Sequence, residues 1–167
     1  MASYKDGKKE IRELILQEFP RGASCLDVGA CDGEYWNLLN DHLVMDAVEV
    51  FIPNIERNHL IEKYNIVHPV NIVGFEYDFY DVIIFGDIIE HLTVKDAQAV
   101  LEYAKCHSKM VIVAVPFLYK QGPIYGNPYE EHIQFDLTDE VFRERYSGFK
   151  LAFSFNNKYG YYIHKRL

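Results

Sequence analysis

Three groups of residues in this chain have the types and spacing to do chemistry. The first is Leu26–Trp36, LDVGACDGEYW. It begins as an apolar strand and ends as an amphipathic helix begins. Asp27-x-Gly29-x-x-x-Gly33 therefore sits between a strand and a helix, as a nucleotide-binding turn requires. Glycines there let a ligand approach the main chain and tolerate left-handed backbone angles. A plain strand–helix turn with no ligand uses them too. The second is Glu49, at the end of the apolar run LVMDAVEVF. It follows Gly29 by about 20 residues, the place of an acid that binds a ribose diol. Val50 lies beside it, where a base would pack; the plainer reading of Glu49 is a solvated strand end. The third comprises Asp87, Glu90 and His91 in GDIIEH, together with Gln121–His132, QGPIYGNPYEEH. Histidine exchanges protons near neutral pH. The alternatives are a Glu90-His91 pair that packs and caps a helix, and a rigid lid braced by prolines.

The elements that must position these residues alternate. Residues 8–19 read as a helix with Ile11, Leu14, Ile15 and Phe19 on one face and Pro20-Arg21-Gly22 as its stop. SCLDVG is a buried strand, EYWNLLNDH a helix and LVMDAVEVF a second strand. IPNIERNHLIEKY reads as one helix with Pro53 in its first turn. NIVHPVNIV reads as a third strand, with Pro69 better suited to an edge. YDVIIFGD is the clearest strand, and Thr93 with Asp96 opens the next helix. MVIVAVPF is another strand. A loop from Pro116 to Asp136 follows, long enough to be functional. Thr138 caps a last helix, and FKLAFSF and YGYYIHKR form a hairpin around Asn156-Asn157-Lys158. Such alternation predicts a parallel sheet with helices on both faces and ligands at the carboxyl ends of its strands. Gly29, Glu49, Asn71, Asp87 and the Pro116 loop all fall at predicted carboxyl ends.

Composition bounds the function. The 167 residues fit a single domain, and 49% of them are apolar, enough for a core. No apolar run approaches the roughly 20 residues of a membrane span, and MASYKDGKKEIREL has no signal-peptide core. Cys25, Cys31 and Cys106 have no CxxC spacing, which argues against a disulfide framework or a zinc site, so no metal is expected and a cytoplasmic location is. The net charge is −8, with no basic block beyond Lys8-Lys9 and Lys165-Arg166, which argues against a nucleic-acid partner.

The segments LDVGACDG, VEVF, YDVIIFGDIIEHL and VIVAVPF, in this order and spacing, resemble a class I S-adenosylmethionine-dependent methyltransferase, of the compact bacterial or phage type. With the terminal hairpin they cover nearly the whole chain. The resemblance implies an α/β, Rossmann-like, doubly wound fold: a mostly parallel seven-stranded sheet with an antiparallel C-terminal hairpin strand and helices on both faces. It implies one methyltransferase domain over 1–167, with an N-terminal helical segment in 1–22 and an acceptor-site loop in 116–136. It implies S-adenosyl-L-methionine as cofactor. Asp27, Gly29, Ala30 and Gly33 then cradle its methionine portion, Glu49 its ribose and Val50 its base. Asn71 and Ile72 meet the adenine, and Asp87 and Ile88 border the methionine end. In some family members an E-H pair placed like Glu90-His91 lies near the acceptor or helps bind a metal. Gln121–His132 resembles a Q-G…G-N-P-Y-E-x-H segment of compact methyltransferases, some associated with sugar modification.

The expected chemistry is in-line displacement at the sulfonium methyl group, toward a small-molecule or carbohydrate acceptor through O or N. His132 is the first candidate for the base and His91 the second. Trp36, Tyr125 and Tyr129 are aromatic surfaces on which a sugar or ring would stack. Two other readings stand beside this one. A dinucleotide-dependent oxidoreductase is disfavoured by Cys31 in the glycine turn, by the short chain and by the hairpin. A non-catalytic binding partner would keep the same fold.

Overall fold

The computed structural model describes residues 6–166. Positions 1–5 and 167, which the expected domain and the opening MASYK include, lie outside the described residues. The elements run α1 (Lys8–Glu18), β1 (Ser24–Val28), α2 (Glu34–Leu39), β2 (Val44–Val48), α3 (Ile52–Arg57), α4 (Leu60–Lys63) and β3 (Val67–His68). They continue with β4 (Tyr80–Gly86), α5 (Val94–Cys106), β5 (Ser108–Pro116), α6 (Asp139–Arg145), β6 (Lys150–Phe155) and β7 (Tyr159–Lys165).

The seven strands form one sheet in the order β3-β2-β1-β4-β5-β7-β6. The strands from β3 to β5 are parallel, and β7 is antiparallel to both β5 and β6. The central strands are buried on both faces, which is why they read as continuous apolar runs. Their alternation sorts two cores. Cys25, Val82, Ile84, Met110, Ile112 and Tyr161 face α1 to α4, through Ile11, Ile15, Leu39, Ile55 and Leu60. Leu26, Ile83, Phe85, Val111, Val113 and Tyr162 face α5 and α6, through Ala97, Leu101, Ala104 and Phe142. The fold is thus the expected doubly wound α/β architecture.

Two local expectations are corrected. IPNIERNHLIEKY is not one helix: α3 ends at Arg57, and His59 takes a left-handed φ of 53° that breaks the helical path. The Asn58 amide donates to the Cys31 carbonyl at 2.7 Å, tying this break to the glycine turn. The third strand is only two residues long. Pro69 has no N–H to continue the ladder, so Asn71 falls in the loop beyond rather than at a strand end. The capping expectations describe what is seen: Thr93 accepts from the Asp96 N–H and Thr138 from the Val141 N–H. Asn156 and Asn157, each at φ 51°, make the hairpin turn.

Candidate active site

The strand order reverses between β1 and β4, and there the carboxyl ends open into a cavity of about 720 Å³, within the range of small-molecule sites. Ten of the sequence-predicted residues line it: Gly29, Ala30, Glu49, Val50, Asn71, Ile72, Asp87, Ile88, His91 and His132. Asp27 and Gly33 do not. Asp27 is buried beneath the turn, where the Tyr64 hydroxyl donates to it at 2.5 Å. Burial pushes its carboxyl up to about 6, against the pull of that hydroxyl and of Lys8. Gly33 enters α2 at φ 78° with Lys63 and Leu60 over it. Of the aromatic candidates Tyr129 lines the cavity. Trp36 packs against the core, and Tyr125 stands exposed.

At one end of the cavity the backbone builds the site. Gly29 has φ +74°, a backbone conformation that favours glycine, and a Cβ there would lie 1.9 Å from Ile88 Cδ1, so that side chain would have to move. The Glu49 carboxylate accepts from the Cys31 N–H at 2.9 Å and the Phe51 N–H at 2.8 Å, and Asn54 Nδ2 donates at 3.4 Å. Burial pushes its carboxyl up, and these donors hold back the rise. The side chain is fixed at the β2 end with lone pairs still free to accept. Val50 and Ile72 give this end apolar wall. The Asn71 Oδ1 accepts from the Val73 N–H at 2.9 Å, which orients the amide locally.

The other end is made by the β4 loop and the long loop after β5. Asp87, at a left-handed φ of 56°, accepts from the Tyr159 hydroxyl at 2.6 Å. Glu90 lies in a short 3₁₀ turn, Ile89–His91, and is fully buried. Neither of its carboxylate oxygens has a hydrogen-bond partner; the nearest imidazole atom, His91 Nε2, is 4.0 Å away, too far for one. It does not cap a helix. His91 Nδ1 lies 3.1 Å from the Glu131 carbonyl and His132 Nδ1 2.8 Å from the Tyr119 carbonyl. A carbonyl only accepts, so each Nδ1 carries the proton and each Nε2 is the basic atom. Burial lowers both imidazole pKa values, which keeps the rings neutral at pH 7. The rings stand edge to face with centroids 4.7 Å apart.

The 116–136 loop is tied to this floor. Ile133 and Gln134 N–H groups donate to the Glu90 carbonyl at 2.8 and 2.9 Å. The buried Gln134 amide donates to the Ile89 and Leu92 carbonyls, and its oxygen accepts from Arg145 and Tyr146. His132 N–H donates to the Gln121 carbonyl at 3.0 Å. The loop lines the cavity with its two arms, residues 116–119 with Gln121 and residues 127–133, while 122–126 lie outside it.

Sequence reasoning missed Tyr159, Asn54 and Tyr35 as site residues. Tyr159 was reachable in principle: an antiparallel strand beside β5 must begin where β5 ends, at Pro116. The Asn54 contact with Glu49, made from the first turn of α3, had no sequence signal. Among the described residues the cysteines are free, and no helix is long and apolar enough to cross a membrane.

No protein-family model matches the sequence, and no curated protein does. Solved structures match the fold. A methyltransferase from Clostridium acetobutylicum ATCC 824, described as S-adenosylmethionine-dependent, superposes with a TM-score of 0.74 at 10% identity, over 98% of this chain and 92% of that one. CalS10, an amino pentose methyltransferase from Micromonospora echinaspora solved with S-adenosylmethionine bound, gives 0.72 at 12% identity, over 97% and 91%. The N-terminal domain of EvdMO1 with S-adenosylhomocysteine bound gives 0.72 at 10% identity, over 99% and 83%. With its 3-2-1-4-5-7-6 strand order, this chain has the Rossmann-like fold of the S-adenosylmethionine-dependent methyltransferases.

Proposed function

We propose that the chain is an S-adenosylmethionine-dependent methyltransferase, a single domain over 1–167, that acts on a small-molecule or sugar-type acceptor through O or N. One observation carries the reading: a backbone-held carboxylate, Glu49, and a pair of neutral imidazoles, His91 and His132, line one cavity at the switch point of this fold. The residues present fit the cofactor. Glu49 at the β2 end suits a vicinal diol, Val50 and Ile72 suit a flat base, and Gly29 and Ala30 bring main chain to the β1 end. Bound there, the cofactor would supply an electrophilic methyl group. The protein supplies alignment and exclusion of water. The loop in 116–136 forms the acceptor wall, with Tyr129 as its aromatic surface. His132 Nε2 is placed to receive the acceptor's proton, with His91 second. A sugar-type acceptor is supported by the likeness to CalS10 and by an EvdMO1 structure obtained in the presence of S-adenosylhomocysteine and D-fucose. A nucleic-acid partner is disfavoured by the net charge of −8.

Calorimetry with S-adenosylmethionine and with NAD tests the reading. Saturable binding of the first and none of the second is expected. Binding of NAD alone would return the chain to the oxidoreductases. S-adenosylmethionine binding with no methyl transfer to hydroxyl or amine acceptors of any size would favour a non-catalytic partner.

A further inference from the structure

The acceptor end holds something that neither a base nor a packing role accounts for. Glu90 is fully buried with both oxygens unpartnered. Beside it His91 and His132 each present an unprotonated Nε2, because each Nδ1 donates to a main-chain carbonyl. One ligand atom from each of Glu90, His91 and His132 lies within 4.8 Å of the others. A point within about 2.8 Å of all three therefore exists. Rotations that close each ligand by roughly 0.7 Å reach the coordination distances of a transition metal.

The geometry points to a divalent transition cation held by Glu90, His91 and His132, of the class that binds two imidazoles and a carboxylate: manganese, iron, cobalt or zinc. A cation here would give the Glu90 oxygens the partner they lack. The Nδ1–H to carbonyl bonds are what orients imidazole ligands and fixes their tautomer. Glu90 and His91 share one 3₁₀ turn, while His132 comes from the loop pinned to that turn at the Glu90 carbonyl, so the ligand set is preassembled. Three protein ligands leave open positions, as in metal sites that bind a substrate oxygen. All three residues line the same cavity as Glu49.

The role of the cation rests on the methyltransferase reading; its binding does not. In that reading the acceptor is a hydroxyl compound whose oxygen coordinates the cation. Its O–H ionises there and the proton passes to solvent water. The oxygen lone pair then forms the bond to the methyl carbon as the carbon–sulfur bond breaks, its electron pair returning to sulfur. His132 and His91 act as ligands in this form, and the cation replaces a bare base.

The test uses chelator-stripped wild-type protein titrated with Zn²⁺, Mn²⁺ and Co²⁺ by calorimetry, with Co²⁺ absorption as a spectroscopic readout. A single equivalent bound with cobalt bands of a nitrogen–oxygen site is expected. Glu90→Gln, His91→Ala and His132→Ala should each weaken binding by roughly 10–100-fold or more. His164→Ala, whose ring lies instead against the Gly148 carbonyl, should not. Far-ultraviolet circular dichroism of every sample reports retained folding, and S-adenosylmethionine is titrated alongside. Wild-type protein that takes up no equivalent of any of these ions, or whose uptake survives the Glu90→Gln/His132→Ala double variant, overturns the site. If metal binds and S-adenosylmethionine does not, the site stands and the methyltransferase reading falls. If S-adenosylmethionine binds and metal does not, only the metal site falls.

Discussion

The two ends of the cavity are built by opposite means. At the Glu49 end the main chain does the work, and the carboxylate is already satisfied by two backbone N–H groups and an amide. At the Glu90 end the polar atoms come from side chains. The Glu90 oxygens and the Gln121 Oε1 are buried without partners. A satisfied end is preorganised for one constant ligand. An end with unpaired buried groups is costly in the free protein and is stabilised by what binds it. On the proposed reading, the satisfied end takes the cofactor and the unpaired end takes the acceptor.

The comparison can be broken most severely at Gly29. Gly29→Val puts a branched side chain at φ +74° and drives it into Ile88, so S-adenosylmethionine binding should fall below detection in calorimetry. Normal affinity in that variant would mean the turn is not part of the site. At the opposite end His132→Ala should lower turnover by roughly 10²–10⁴-fold while cofactor affinity changes little. An equal loss in both would merge the two ends into one.

Beneath the Glu49 end, Asp27 predicts a pH effect. Its folded pKa, about 6, lies above its ordinary value of 3.8, so the folded protein holds this proton more tightly than the unfolded chain. Stability from this group is fully present below the ordinary value and is lost as pH rises to about 6. The fall is on the order of 3 kcal/mol. Glu49 and Asp32 push the pKa up alongside burial, and Lys8 and the Tyr64 hydroxyl oppose them. Denaturant titrations at successive pH values should show that component in the wild type and not in Asp27→Asn. Parallel pH profiles would show that Asp27 stays ionised.

The mildest change is Glu49→Gln, which keeps the shape, removes the charge and leaves one of the Cys31 and Phe51 N–H groups facing an amide NH2 instead of an acceptor. Affinity for S-adenosylmethionine should weaken by about 1.5–3 kcal/mol. Glu49→Ala adds a loss of stability, since it leaves the Cys31 and Phe51 N–H groups without their acceptor. Unchanged affinity in Glu49→Gln would remove the carboxylate from ribose recognition.

Most of the fold was legible because periodicity and punctuation report on it directly. The runs in β1, β4 and β5 are buried on both faces, and Thr93 and Thr138 mark helix starts by a local hydrogen bond. What failed was set by tertiary contact. The left-handed His59 and the Asn58 bond to Cys31 break a helix whose apolar pattern runs on. Pro69 signalled an edge but not how short β3 would be. At the site, Glu49 and Gly29 were readable from spacing along the chain. The meeting of Glu90 and His91 with His132 was not. It depends on the bonds from Ile133 and Gln134 to the Glu90 carbonyl, which join residues some 40 positions apart.

A crystal structure with S-adenosylhomocysteine bound tests the central claim most directly. The account predicts the ribose hydroxyls within hydrogen-bond distance of the Glu49 carboxylate and the sulfur turned toward Glu90, His91 and His132. A ligand seated elsewhere, or in this cavity with its sulfur turned away from that cluster, would contradict it.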